Sequence, residues 1–212
     1  LLTPGYRGTD GAIEEAYRLA RDEPAKYFLV DQFNNEANWL AHYEGTGREI
    51  WEATGGRVNV VVVTMGTTGT LMGITRSLRE RNPAIRVVAT EALQCPTLYQ
   101  FGFGAHRIEG IGDKHVPWIH NVRNTDVVAG IDDNACMALL RLFNEPAGRE
   151  WLVNQGVDPM LVGRLDLLGI SGIANLLVAV KTAHYFELGP DDALLTVATD
   201  SMELYGSRLA EE

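Results

Sequence analysis

The chain has 212 residues, 46% hydrophobic and 22% charged, with a formal net charge of −10. That composition supports a sizeable core and argues against disorder, and the acidic balance argues against nucleic acid as a partner, which needs a basic face. No apolar stretch approaches the ~20 residues needed to cross a bilayer; the run Val58–Met65 is interrupted by Asn59 and Thr64. The length allows one large domain, or one domain plus a fragment. Two cysteines, Cys95 and Cys136, are too few for a disulfide framework and have no metal-ligand spacing. They read as ordinary thiols of a reducing compartment, which points to a cytoplasmic protein. The opening Leu1-Leu2-Thr3-Pro4-Gly5 lacks the basic and apolar regions of a signal peptide, and it reads as a cut N-terminus.

In chain order, residues 11–21 carry Ala12, Ala16, Leu19 and Ala20 against Glu14, Glu15 and Arg18, the pattern of an amphipathic helix. After Pro24, Tyr27-Phe28-Leu29-Val30 reads as a short buried strand, and residues 39–51 read as a helix. The segment 57–64 is β-branched and almost wholly apolar, which predicts a strand buried on both faces. It runs into Gly66-Thr67-Thr68-Gly69-Thr70. A helix with Leu71, Ile74 and Leu78 on its inner face follows, Asn82-Pro83 stops it, and residues 85–90 form a second strand. Strand, glycine turn, helix and strand in this order make a βαβ unit of a parallel sheet. The stretch 91–118 is irregular and rich in Pro, Gly and aromatic residues, as functional loops are. A helix over 134–143, a glycine-containing turn at 169–172, a helix through Leu176, Val180 and Ala183 and a strand over 193–199 complete the α/β pattern.

The segment Thr64–Thr70 lies where a buried strand gives way to a helix. Glycines let the backbone curl so that N–H groups converge, the helix start adds its positive end, and threonine hydroxyls add donors. No lysine follows the second glycine, so this is not a P-loop, and the dinucleotide spacing is absent. A phosphate held by neutral donors fits a cofactor phosphate better than a reacting nucleotide. A turn needing glycine for backbone reasons alone is the competing reading.

The turn resembles the phosphate-binding Gly-Thr-Gly-Gly-Thr loop of the cysteine synthase and cystathionine β-synthase family, the fold-type II pyridoxal-phosphate enzymes. Four more segments fall in family order: Gln32-Phe33-Asn34-Asn35-Glu36-Ala37-Asn38, with Glu36 in place of a proline; Thr46-Gly47-Arg48-Glu49-Ile50-Trp51; the Gly110-Ile111-Gly112 loop; and Thr199-Asp200-Ser201-Met202-Glu203-Leu204-Tyr205. The resemblance implies a doubly wound, mostly parallel large domain over residues 35–212, with the end of the smaller domain over residues 1–34. It implies pyridoxal 5′-phosphate as cofactor, with Gly66, Thr67, Thr68, Gly69 and Thr70 on its phosphate and Ser201 on the pyridine nitrogen. A cap on the following helix is the other reading of Ser201, and Asp200 competes for the nitrogen contact. Gln32 would meet the substrate carboxylate, and Gly110 and Gly112 would let backbone approach the substrate.

Departures from the family pattern are expected to matter. Gly169-Ile170-Ser171-Gly172-Ile173-Ala174 drops one residue of the family's Gly-Ile-Ser-Ser-Gly-Ala, and Ser171 reads as a helix cap without chemistry. Asp113-Lys114-His115 replaces a small apolar stretch and leaves open either selection of an anionic co-substrate or a solvated loop. The family's Schiff-base lysine lies upstream of everything matched here, and none of Lys26, Lys114 and Lys181 stands on its motif. The resemblance therefore implies no catalytic lysine in this chain. It implies a homodimeric enzyme whose N-terminal half is supplied in cis or in trans, acting on O-acetyl- or O-phosphoserine and a sulfur donor to form cysteine. Cystathionine β-synthase chemistry and a non-catalytic regulatory fragment are the alternatives.

Overall fold

The computed structural model describes residues 3–211; the Leu1-Leu2 opening lies outside the described residues. The chain divides into two compact units, Leu1–Asn35 and Glu36–Glu212.

In the first unit a 3-10 turn, Gly5–Arg7, leads into helix α1, Gly8–Asp22. The strand expected over residues 27–30 does not form: the segment carries no sheet pairing, and Tyr27, Phe28 and Val30 are exposed. A strand needs a neighbour for its backbone groups, and none of the described strands belongs to this unit. The chain turns instead at Asp31 (φ +51°). The Asp31 carbonyl accepts the backbone N–H groups of Asn34 and Asn35, and its carboxylate accepts Tyr17 Oη at 2.7 Å and Asn34 Nδ2 at 2.9 Å.

The second unit opens with one long helical run in three parts: α2, Ala37–Ala41; a π turn, His42–Thr46; and α3, Gly47–Thr54. Then come β1, Val60–Thr64; α4, Gly69–Arg79; β2, Arg86–Ala92; the short α5, Thr97–Gln100; and β3, Val127–Ile131. Helices α6, Asp133–Asn144, α7, Pro146–Asn154, α8, Pro159–Val162, and α9, Ile170–Tyr185, precede β4, Leu194–Thr196, and α10, Gly206–Glu211. The four strands are parallel, in the order β3-β2-β1-β4.

The strand period of two divides the core between the two faces of the sheet. Val61 and Val63 of β1, with Val87 and Ala89 of β2, point to α4, where Leu71, Ile74 and Leu78 are buried as expected, and to Trp39, Ile50 and Trp51. Val60 and Val62 point the other way, into a cluster with Cys136 and Leu140 of α6 and Ile170, Ile173 and Val178 of α9. Each fully buried Val or Ile contributes about 1.5–3 kcal/mol relative to exposure. The layout is doubly wound, with β1 central and helices on both faces. Two readings change. Residues 170–172 are the first turn of α9 rather than a separate glycine turn, and the buried line of α9 runs through Ile170, Ile173, Ala174 and Val178 while Leu176 and Val180 stay exposed. Among the described residues no single helix is long and apolar enough to cross a membrane.

The strand order sets the position of the site. From β1 the chain crosses to β2 and β3 on one side, then returns to place β4 on the other side of β1. The order reverses at β1/β4, and ligands of open α/β sheets bind outside the carboxyl ends of the strands at such a point. The Thr64–Thr70 turn leaves β1 there, and Thr199-Asp200-Ser201 follows β4.

Candidate cofactor site

The carboxyl ends of β1 and β4 are held together by one fully buried side chain. Asn175 of α9 accepts the Thr64 N–H on Oδ1 at 2.9 Å and donates from Nδ2 to the Val197 carbonyl, also at 2.9 Å. Past Thr64, the Met65 N–H donates to the Thr90 carbonyl at 2.8 Å. The chain then curls through Gly66 and Thr67 to Thr68, whose φ of +68° lies in the left-handed region. For a β-branched residue that conformation is an outlier, costing about 1–2 kcal/mol. Helix α4 starts at Gly69, and its first N–H groups have no partner within the helix. Gly69 is required by packing, because a β-carbon there would overlap Asn38 Oδ1.

The threonine hydroxyls of this turn divide into two kinds. Asn38 Nδ2 donates to Thr67 Oγ1 at 3.0 Å, and His42 Nε2 lies 3.2 Å from Thr70 Oγ1. The Thr68 Oγ1 is buried and has no hydrogen-bond partner in the structure. A buried hydroxyl left without a partner costs about 1–3 kcal/mol, so the turn carries both strain and an unspent donor. His42 is held on its other nitrogen by Thr46 Oγ1 at 3.1 Å, and burial lowers its pKa, which keeps the ring neutral.

The Gly110-Ile111-Gly112 loop meets this turn. The Gly112 N–H donates to the Met65 carbonyl at 2.8 Å, and a β-carbon on Gly66 would stand 3.4 Å from the Gly110 carbonyl oxygen. Both loop glycines have φ +83°, and the ring of His106 lies where a Gly112 side chain would go. The loop is fastened on both sides. The Arg107 N–H donates to Asp133 Oδ2 at 2.7 Å, Arg208 pairs with Glu109 at 2.5 Å, and Thr97 Oγ1 donates to the Asp113 carbonyl. Buried Glu91 holds α5 beside it by accepting the N–H groups of Leu98 and Tyr99 at 3.0 and 2.7 Å.

On the β4 side, Ser201 is half-buried and extended, and its hydroxyl makes no cap bond to the 3-10 turn Met202–Leu204. The capping alternative for Ser201 is therefore not what the structure contains. Asp200 is engaged elsewhere: its carbonyl accepts the Gly169 N–H at 2.7 Å and its carboxylate accepts Tyr205 Oη at 2.5 Å. Burial and this bond push the Tyr205 hydroxyl up to about 12. The expected cap at Ser171 is also absent. Ser171 is the second residue of α9, buried, with its hydroxyl 2.5 Å from Thr199 Oγ1, because the helix starts two residues earlier than a cap at Ser171 would require. Gln32 lies in the Asp31 turn of the first unit, exposed. Within the second unit Gly66–Thr70, Gly110 and Gly112 come together, and Asn175 ties the strand leading to Ser201 to the strand leading to Gly66. Asn38, His42 and Asn175 had no assigned role in the sequence reading.

Lys26 pairs with Glu23 at 3.1 Å, Lys181 donates to the Gly130 carbonyl at 2.8 Å, and Lys114 lies 5.8 Å from the centre of the Phe103 ring. The turn itself fits a phosphate monoester: a helix start, glycines that bring backbone close, three hydroxyls, and one of these buried without a partner.

A glycine–threonine turn opening a helix at the switch point of a parallel sheet, with a serine hydroxyl beyond the neighbouring strand, is an arrangement suited to anchoring a phosphate in an α/β protein. Residues 3–149 match the family described as pyridoxal-phosphate dependent enzyme. The chain belongs to that family, in its fold-type II branch of cysteine synthases and cystathionine β-synthases. It is 35% identical over 212 residues to the cysteine synthase of Haemophilus influenzae, an alignment covering 97% of this chain and 61% of that protein. A solved cysteine synthase from Entamoeba histolytica superimposes with a TM-score of 0.81 at 29% identity, over 100% of this chain and 57% of that one. An O-acetylserine dependent cystathionine β-synthase from Helicobacter pylori gives 0.79 at 28% identity, over 98% and 61%. The chain spans 48% to 61% of the length of the curated cysteine synthases from Salmonella typhi and H. influenzae.

Proposed function

We propose that this chain is the C-terminal part of a pyridoxal-phosphate-dependent cysteine synthase-like enzyme. The complete enzyme replaces the β-substituent of an activated serine, O-acetyl- or O-phosphoserine, with a sulfur nucleophile and forms cysteine. The lysine that carries the cofactor belongs to an N-terminal half supplied in cis or in trans, so the chain alone is inactive, and the complete enzyme is a homodimer. Residues 1–34 are the end of that half's smaller domain, and residues 35–212 the large cofactor domain.

The observation that carries this reading is the unspent Thr68 hydroxyl at the start of α4, in a turn on the switch point of the sheet. Gly66, Thr67, Thr68, Gly69 and Thr70 hold the phosphate through backbone N–H groups and hydroxyls, without a cation. Neutral donors anchor the phosphate without adding charge beside the reacting centre. When bound, the pyridoxal ring supplies an electron sink for the amino acid. Ser201 would hold the pyridine nitrogen through its neutral hydroxyl, which would not protonate the ring as a carboxylate would. Gly110 and Gly112 would keep backbone close to the substrate. The hydroxyl pair Ser171–Thr199 and the Gly169–Asp200 bond hold the segment before Ser201 in place.

Borohydride reduction of the chain with pyridoxal phosphate, followed by peptide mass analysis, tests this. Stoichiometric trapping on no lysine of this chain, with cysteine formed only after an upstream half is added, is expected. A Schiff base trapped on Lys114, with activity from the chain alone, overturns it. Formation of cystathionine rather than cysteine would favour the second reading, which the similarity to the H. pylori enzyme keeps open.

A further inference from the structure

The long helical run beside the phosphate turn carries polar residues at four-residue spacing, Asn38, His42 and Thr46, and each takes part in a chain of hydrogen bonds ending on the turn. Asn38 Nδ2 meets Thr67 Oγ1 at 3.0 Å, His42 Nε2 meets Thr70 Oγ1 at 3.2 Å, and Thr46 Oγ1 meets His42 Nδ1 at 3.1 Å. The approach is permitted by small residues on both sides of the contact. A β-carbon on Gly69 would overlap Asn38, one on Gly73 would overlap the Trp39 carbonyl and crowd the His42 β-carbon, and one on Gly47 would stand 2.5 Å from the Ser77 β-carbon. His42 falls where the run widens into its π turn, a feature often found at functional sites.

The direction of these bonds can be worked out from donor chemistry. An amide NH₂ only donates, so Thr67 Oγ1 must accept from Asn38, and its own hydrogen is released for another acceptor. A neutral imidazole has one N–H and one lone pair. If Thr46 donates to Nδ1, the N–H is on Nε2, Thr70 Oγ1 accepts it, and the Thr70 hydrogen is also released. The opposite tautomer would consume the Thr70 hydrogen on His42 and turn an oxygen lone pair towards the phosphate.

Resting on the phosphate reading of the turn, we propose that Asn38 and His42 are positioning residues: they hold Thr67 and Thr70 as hydrogen-bond acceptors on one side so that both hydroxyls donate to the cofactor phosphate on the other. Thr46 sets the tautomer of His42. The ladder supplies directed donors without adding a charge to the site.

The test is titration calorimetry of the full chain with pyridoxine 5′-phosphate, which has no aldehyde to condense with lysines, against pyridoxine as the phosphate-free control. The unaltered chain should bind the phosphorylated form and not the control. His42→Phe and Asn38→Leu should each weaken it about tenfold, the loss expected for a misdirected bond to a charged group. His42→Gln, which keeps a donor near the Nε2 position, should recover most of the affinity. His42→Phe added to Thr70→Val should cost little more than Thr70→Val alone, because both act through one hydroxyl. Long-range ¹⁵N spectra of the ligand-free chain should show the Nε2–H tautomer at His42, a result independent of whether any substituted chain folds.

Unchanged affinity in His42→Phe alongside a loss in Thr70→Val, full additivity of the two, or the Nδ1–H tautomer would each overturn the ladder while leaving the phosphate site standing. Failure of the unaltered chain to prefer the phosphorylated probe would remove the site and the ladder together.

Discussion

Two helices of this chain begin with glycine and a hydroxyl residue at the same edge of the sheet, yet they are built for different ends. At the start of α9 the neighbouring hydroxyls and carboxylate are bonded inside the protein. Gly169 donates to the Asp200 carbonyl, Ser171 is bonded to Thr199, and Asp200 is taken by Tyr205. At the start of α4, Thr67 and Thr70 are held from behind by Asn38 and His42, Thr68 is strained, and its hydroxyl is unspent. Both starts even exclude a side chain in the same way, Gly69 against Asn38 and Gly169 against Asp200. A glycine at a helix start therefore does not define an anion site; what distinguishes one is donors left over after the fold has taken its share.

The sharpest way to break this comparison is to place the same methyl group at both starts. Gly69→Ala and Gly169→Ala should each destabilise the chain by about 1–3 kcal/mol through overpacking, read as a lower urea midpoint. Only Gly69→Ala should abolish binding of the phosphate probe. Equal loss of binding in both would mean that the two starts form one site.

Asn175→Leu should be nearly as costly, about 2–3 kcal/mol, because it leaves the Thr64 N–H and the Val197 carbonyl buried without partners. It should also loosen the β1/β4 pairing, seen as faster amide exchange at residues 194–196 than at β2. No change in exchange there would show that the strand ends hold without the clamp.

Thr68→Gly tests the α4 start from the other side. Relief of the left-handed strain and removal of the unpartnered hydroxyl should raise stability by about 1–2 kcal/mol, while affinity for the phosphate probe falls several-fold. Stabilisation without loss of affinity would mean that the hydroxyl does nothing for the ligand.

The smallest effect is on pH. Burial lowers the pKa of both His42 and His120. Their folded pKa values lie below the unfolded value of about 6.5, so the unfolded chain takes up protons first. Stability is full above pH ~6.5 and is lost as pH falls from there through the depressed folded values. The urea midpoint should drop between pH 7.5 and pH 5, and the double substitution His42→Gln, His120→Gln should flatten that drop. A midpoint that rises on acidification would reverse the sign.

The parts of the molecule legible in the sequence are those whose signals are local. The valine run of β1, the threonine–glycine turn after it and the inner leucines of α4 lie within 21 consecutive residues, 58–78, and all take the expected form. The segment 27–30 has the composition of a strand but no partner in its unit, and pairing is a property of the neighbour. Strand β3 passed unnoticed because Val127-Val128-Ala129-Gly130-Ile131 is short, broken by glycine and half-buried at the sheet edge. The supporting residues of the site were hidden for a different reason. Asn38 and His42 bond residues 29 and 28 positions away, and Asn175 bonds one 111 positions away. Of these, only Asn38 lay inside a recognisable motif, and no sequence signal marks a histidine whose two nitrogens end on threonines.

The central claim is that the α4 start, and not the α9 start, is a phosphate site. The direct measurement is the ³¹P spectrum of pyridoxine 5′-phosphate titrated with the unaltered chain and with Thr70→Val and Ser171→Ala. The account predicts a shifted, saturable resonance with the unaltered chain, the same resonance with Ser171→Ala, and a much weaker response with Thr70→Val. A resonance that ignores Thr70→Val, or one that disappears with Ser171→Ala, would contradict it.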